Sequence, residues 1–286
     1  MPEKISMTGK QPKTAGDVVS WCRNNGVIPV PCRPKSKAPL GIISVKGVYG
    51  ENPPGERELL RNFDRRFFGK TVRDSFHIPS QKRLEIIENY WNRPYTKSFT
   101  AGQISVSLDM NYPTKDGLTI ACIDIDTDDL AFLADEELFQ KCPLISGKKG
   151  GKLFFKLNKE KALPSPIIQY TTKENLEKPG TEQKPALIEL FTGHKHALIF
   201  GEHPESTPEK PLYYQFLRGF DEQIPVITWA DTTAALNSFS KKHGLLIRMT
   251  NEVVPYDQTN LSEWENKKTQ QKKIYRTLGQ NRIDRW

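Results

Sequence analysis

The chain has 286 residues, with 36% hydrophobic, 10% aromatic and 27% charged residues and a formal net charge of +8, a balance that suits one large or two modest globular domains and excludes a disordered chain. No run approaches the roughly 18 apolar residues of a spanning helix, and the opening MPEKISMTGKQPK lacks the apolar core of a secretion signal, so a cytoplasmic protein without a membrane partner is expected. The positive charge favours polyanionic partners, because Lys and Arg that neutralise phosphates release condensed counterions.

Residues 1–14 are polar and read as a loose N-terminus. Ala15 to Asn25 places Val18, Val19 and Cys22 at helical spacing, and GVIPVPCRPKSKAPL reads as a buried strand running into a proline-rich basic loop. A polar insertion follows from Glu51 to Gln81. KRLEIIENYWNR then repeats apolar residues at Leu84, Ile86, Ile87, Tyr90 and Trp91, the pattern of an amphipathic helix. From there the sequence is strand-rich: GQISVSL, LTIACIDID, a strand ending at Ser146, GKLFFKL, ALIELF, HALIF and LYYQF are short and β-branched or aromatic. One helix is predicted among them, from about Asp128 to Phe139, with Thr127 or Asp128 as N-cap. WADTTAALNSFSKKHG reads as a closing helix, and the segment from Leu261 to Trp286 as a very basic tail. The cysteines Cys22, Cys32, Cys122 and Cys142 form no CxxC, so neither a zinc knuckle nor a disulfide framework is encoded and buried thiols are expected.

Three acids stand out because they interrupt apolar strands. In CIDID, Asp124 and Asp126 are two apart and share one face of the strand. Two such carboxylates repel unless a cation holds them, and oxygen-rich sites suit magnesium or manganese. The alternative is that Asp126 begins a turn while Asp128 or Asp129 caps the next helix, which leaves Asp124 without an account, since a carboxylate in a buried strand is costly without a partner. Glu189, between Ile188 and Leu190, repeats the oddity; alone it reads as a solvent-facing residue, with the aspartates as part of a two-ion site. Between them, SGKKGGK combines Gly147, Gly150 and Gly151 with Lys148, Lys149 and Lys152 after Ser146. Its backbone can approach an anion and its lysines supply charge, although the same residues would serve an ordinary hairpin turn and the GxxxxGK[ST] pattern is absent. GHKHALIFGEHPES adds His194, His196 and His203, which could bind a transition metal, touch a phosphate or sugar, or lie on a strand surface.

Taken in order, these segments resemble the archaeo-eukaryotic primase superfamily, specifically the primase–polymerase domains of plasmid, phage and other mobile-element replication proteins. VVSWCRNNGVIPVPCRPKSKAPL is similar to the family's opening helix, strand and K-x-P loop, with Lys37 at the lysine position. IDID matches the first catalytic motif, SGKKGGKLFF the second, and IEL at Glu189 the third. GHKHALIFGEHPES and LYY, with His203 and Tyr213, are similar to the family's segment beyond the third motif. The resemblance spans Ala15 to Gln215 and departs from the pattern at Lys152, where the second motif usually carries a histidine that contacts the nucleotide's phosphates. A lysine there is a fixed cation without the option of proton transfer.

The resemblance implies an enzyme, a DNA-directed nucleotidyltransferase acting as primase, polymerase or both. Two Mg²⁺ or Mn²⁺ ions would be held by Asp124, Asp126 and Glu189; Ser146, Gly147, Lys148, Lys149, Gly150, Gly151, Lys152 and His203 would bind the nucleoside triphosphate; and Arg33, Lys35 and Lys37 would lie near template or triphosphate. Single-stranded DNA template, primer and a helicase or other replication module are the implied partners. The implied fold is α/β of the α+β kind: an RRM-like antiparallel sheet joined to an N-terminal α/β unit, forming a catalytic domain over residues 1–220, with 221–286 a helical, basic segment or linker. Two rivals remain open from sequence. One is a rolling-circle endonuclease of the HUH type, using His194, His196 and Tyr213 or Tyr214, although Lys195 stands where that motif is apolar. The other is a non-catalytic binder that stacks single-stranded bases on aromatics such as Phe154 and Phe155.

Overall fold

The computed structural model describes residues 10–40, 81–110, 112–158, 168–179, 182, 186–192 and 196–250. The chain divides into two units, Met1–Asn251 and Glu252–Trp286, and all the described residues belong to the first. The basic tail, most of the Glu51–Gln81 insertion and His194 lie outside them.

Helix α1, Ala15–Asn24, begins with a capping box: the Thr14 hydroxyl accepts from the Asp17 N–H, and the Asp17 carboxylate accepts from the Thr14 N–H at 2.9 Å, satisfying two donors that the first turn cannot. Val18, Val19 and Cys22 are buried as their spacing predicts. β1, Ile28–Cys32, comes next. Helix α2, Gln81–Trp91, buries Ile87, Tyr90 and Trp91, and the Trp91 indole donates to the Pro29 carbonyl at 2.7 Å. β1 pairs antiparallel with β2, Ser105–Asp109, which pairs antiparallel with β8, His196–Phe200, to complete a three-stranded sheet.

The second sheet has eight strands. β11 (Leu246–Thr250), β6 (Ile168–Thr171), β7 (Ile188–Thr192), β3 (Thr119–Ile125), β5 (Gly151–Asn158), β4 (Leu144–Ser146) and β9 (Gln215–Arg218) neighbour one another in that order, and β10 (Val226–Thr228) runs parallel to the end of β5. The remaining pairings are antiparallel. The chain is thus a mixed α+β protein built on antiparallel sheets with few helices. The short helix α3, Lys173–Glu177, lies between β6 and β7, and α4, Trp229–Lys242, lies between β10 and β11 with Thr228 as its cap. The body expected to end at residue 220 therefore continues to Thr250, because β10 and β11 supply hydrogen-bond partners to β5 and β6 that would otherwise be sheet edge.

Two local expectations are corrected. Asp128 to Phe139 forms two 3₁₀ segments, Asp128–Asp135 and Glu137–Phe139, in place of an α-helix. Leu130 and Leu133, both buried, are three apart, the spacing that stacks side chains in a three-residue turn. Thr127 precedes the first segment in extended conformation without a side-chain cap bond. The strand expected at Leu212 begins at Gln215.

One face of the large sheet carries both a share of the core and the charged residues of the candidate site. Cys122 on β3 lies opposite Phe154 of β5 and Phe191 of β7, and all three join Val106, Leu108 and Leu198 of the small sheet in one apolar core. One rung further along the same face, Asp124 lies opposite Lys152 and Glu189. Side chains of one face recur every second residue, so the surface changes from sealed core to charged groups within a single step. All four cysteines are buried and free. Among the described residues no helix is long and apolar enough to cross a membrane.

Candidate active site

Beyond that rung lies a cleft of about 670 Å³ between the two sheets, lined by Asp124, Asp126, Glu189 and Lys152 and by the turn residues Gly147, Lys148, Lys149 and Gly151. Lys37, His196, His203 and Tyr214 also face it. Residues far apart in sequence, from Lys37 to Tyr214, thus meet in one place. Asp124 forms an ion pair with Lys152, with side chains 16% and 19% exposed for the lysine and the aspartate. Burial works against the Lys152 ammonium, but Asp124, Cys122 and Asp126 together outweigh it and hold the lysine above its ordinary range. Glu189 accepts from the Gln169 amide at 3.1 Å, a cross-strand neighbour in register. Asp126 lies just past the end of β3, where its N–H donates to the Leu187 carbonyl at 2.9 Å.

The glycine-rich turn is held at both ends by close packing. Gly150 has φ +54, and a Cβ there would sit 1.9 Å from the Ile125 carbonyl oxygen. Its N–H donates to the Asp128 carboxylate at 2.7 Å. Asp128 therefore anchors the glycine-rich turn to the end of β3, a role distinct from the helix cap expected of it. At Gly147 a Cβ would press on Tyr214 at 3.2 Å and His203 at 3.4 Å, so glycine lets these two rings close over the turn. Lys148 forms an ion pair with Glu205, while Lys149 is exposed on the cleft wall. Ser146 pairs with Gln215 at the end of β4 and stands outside the lining.

His203 has a defined tautomer. Its Nδ1 accepts from the Glu205 N–H at 3.1 Å, and a nitrogen that accepts carries no proton, so neutral His203 is an Nε2–H donor. Burial lowers its affinity for a second proton, and Lys37, Lys148 and Lys152 add to that effect against Glu205. The ring lies beside Tyr214 at 5.4 Å. The basic loop is divided in its roles. Lys37 faces the cleft, whereas Lys35, at φ 54, pairs with Glu202 at 2.9 Å and ties the loop to the His203 turn. The Arg33 N–H closes the loop onto the Ala38 carbonyl at 3.0 Å, and its side chain stands outside the cleft lining.

His196 faces the cleft, although the primase resemblance gives it no role. Its Nδ1 lies 2.9 Å from the hydroxyl of the fully buried Ser107, which lies 3.3 Å from Cys32 Sγ. Burial pushes the Cys32 thiol up to about 12, so it stays protonated, and this chain of contacts fixes the imidazole from behind. HKH marks His196 as one of a pair with His194, but only the pairing of β8 with β2 places it over the acids of another sheet.

The acids are oxygen donors of the kind that hard divalent cations take. As folded, however, the cation on Asp124 is Lys152, and among the described residues no group of three or more His, Cys, Asp or Glu side chains is arranged to hold a metal ion. No protein-family model matches the chain, and no curated protein is significantly similar to it.

Proposed function

We propose that the chain is a template-directed nucleotidyltransferase of the primase–polymerase kind, within the archaeo-eukaryotic primase superfamily, with an RRM-like catalytic sheet centred on β7, β3 and β5. The observation that carries this reading is the charged rung: Asp124 in register with Glu189 and Lys152, at the edge of a sealed core and facing a lysine- and glycine-lined cleft. A triphosphate matches the basic part of the lining, where Lys37, Lys148, Lys149 and the neutral His203 can donate and the glycines admit close backbone approach. Magnesium or manganese, when bound by Asp124, Asp126 and Glu189, would activate a primer 3′-hydroxyl and neutralise charge on the leaving pyrophosphate. The chain's own part is to place that hydroxyl and the α-phosphate in line through the acids and lysines of the cleft.

The HUH reading is less well supported: Tyr213 stands outside the cleft lining, and Tyr214 is buried against His203, where burial raises its phenol above the ordinary range and disfavours it as a nucleophile. The test is a primer synthesis and extension assay with single-stranded template, nucleotides and Mg²⁺ or Mn²⁺. Product is expected from the parent and about 10³-fold less from Asp124→Asn or Glu189→Gln. Parental rates in either variant, or a tyrosine-linked DNA adduct formed without nucleotides, would sink the proposal.

A further inference from the structure

Among the described residues Lys35 is the one non-glycine with a left-handed backbone, φ 54. Cβ crowds the following carbonyl in that conformation, so a lysine keeps it only where its surroundings hold it. Its ammonium is taken by the Glu202 carboxylate at 2.9 Å, with the lysine side chain 44% exposed and the glutamate side chain 11%. Glu202 is itself fixed: its N–H donates to the Ala101 carbonyl at 3.0 Å, and its Oε1 accepts from the buried Ser206 hydroxyl at 2.6 Å. The Ser206 oxygen in turn accepts from the Leu212 N–H at 3.0 Å. On the other side of the pair the basic loop is a closed turn, in which the Ser36 hydroxyl accepts from the Ala38 N–H at 3.0 Å. A nearly buried carboxylate on a braced turn is thus the anchor from which this turn hangs. Lys35 stands outside the cleft lining, but Lys37, two residues on, and His203, next to Glu202, both face the cleft.

We propose, resting on the nucleotidyl-transfer reading of the cleft, that Glu202 is a positioning residue for the incoming nucleotide: by pinning Lys35 it holds the basic loop so that Lys37 meets the phosphates beside His203. Lys35 is then a tether and not a phosphate ligand. The two roles predict opposite signs. Were Lys35 a phosphate ligand, removing the charge of Glu202 would release its ammonium to the nucleotide and tighten binding. With Lys35 as tether, the same change loosens the loop, and Lys37 loses the placement that makes a charged donor effective.

Primer extension with Mg²⁺ or Mn²⁺ is measured over a range of nucleotide concentrations on the full 286-residue chain, for the parent, Glu202→Gln, Lys35→Met, Lys37→Ala and the combinations of the first two variants with Lys37→Ala. Circular dichroism confirms that each is folded. Lys37→Ala should raise the KM for nucleotide about tenfold, and Glu202→Gln and Lys35→Met about fivefold each, with kcat within about twofold of the parent. In the Lys37→Ala background either change should add less than about twofold, because the group it positions is gone. A KM for Glu202→Gln at or below the parent's, or full additivity with Lys37→Ala, would overturn the inference and leave nucleotidyl transfer standing. If Glu202→Gln fails to fold, Lys35→Met and its combination with Lys37→Ala decide by the same criteria. A parent that incorporates no nucleotide would remove the nucleotidyl-transfer reading and this inference with it.

Discussion

Two cation–carboxylate pairs, one in each sheet, resemble each other in sequence and differ in consequence. Asp109 ends the apolar strand β2 much as Asp124 nearly ends β3. Asp109 is bound by Arg83 at 2.6 Å, with the guanidinium also on the Tyr112 hydroxyl at 3.2 Å, and the side chains of the pair are 3% and 1% exposed. The Asp124–Lys152 pair instead borders an open cleft and stands beside Glu189 and Asp126. A sealed pair can only support the fold, because nothing enters to exchange partners; a pair on a cleft wall can trade its partner for a ligand. Removing one member of the sealed pair strands a buried charge.

The sharpest way to break this comparison is to cut both pairs. Asp124→Asn should lower nucleotide incorporation about 10³-fold while changing unfolding free energy by no more than about 1–2 kcal/mol, since Lys152 can turn toward the cleft water. Asp109→Ala should do the reverse: a loss of about 3–5 kcal/mol in urea unfolding, with activity per folded molecule retained. If Asp124→Asn unfolds the protein as readily as Asp109→Ala, the two pairs are alike and the distinction fails.

The glycines divide along the same line. Gly150→Ala forces a Cβ into the Ile125 carbonyl at positive φ and should cost about 3 kcal/mol with disruption of the turn. Gly117, at φ +77 with nothing within 4 Å of a Cβ, should cost only about 1 kcal/mol as alanine, from backbone strain alone. Thermal melts of the two variants separate crowding from conformation. Smaller still is Lys148→Ala. Its pair with Glu205 is 43% and 58% exposed, so stability should move by less than about 0.5 kcal/mol, whereas the KM for nucleotide should rise about tenfold through loss of a charged donor.

The smallest effect expected is in pH dependence. His203 is held below its ordinary value of 6.5 by burial and neighbouring lysines. Between its folded value and 6.5 the unfolded chain binds more protons, so its contribution to stability is present above pH 6.5 and declines as pH falls through that window. His203→Gln should flatten this part of the melting-temperature profile. A profile unchanged by the substitution would show that His203 does not titrate as its hydrogen bond requires.

Much of this molecule was legible in the amino-acid order, where a local rule suffices. The capping box and apolar stripe define α1, and the apolar strand with an acid in its middle marks β3 and β7 as unusual. Period-2 alternation places Asp124 and Cys122 on one face without any knowledge of a partner strand. The short strands β6, β10 and β11 escaped because segments of three to five residues carry too little pattern, and their hydrogen bonds lie far away in sequence. Asp109 escaped for the opposite reason: it obeys the same local grammar as Asp124, and only the approach of Arg83 from α2 separates support from site. Likewise Asp128 could be read as a cap until the turn 22 residues later folded back to offer it the Gly150 N–H. Sequence by itself determined which residues carry charge inside apolar strands, because side-chain chemistry and strand period are local. Tertiary structure alone decided which of those charges are sealed, which meet across strands, and that Lys152 rests on Asp124, because strand register and sheet order are set by contacts between distant segments.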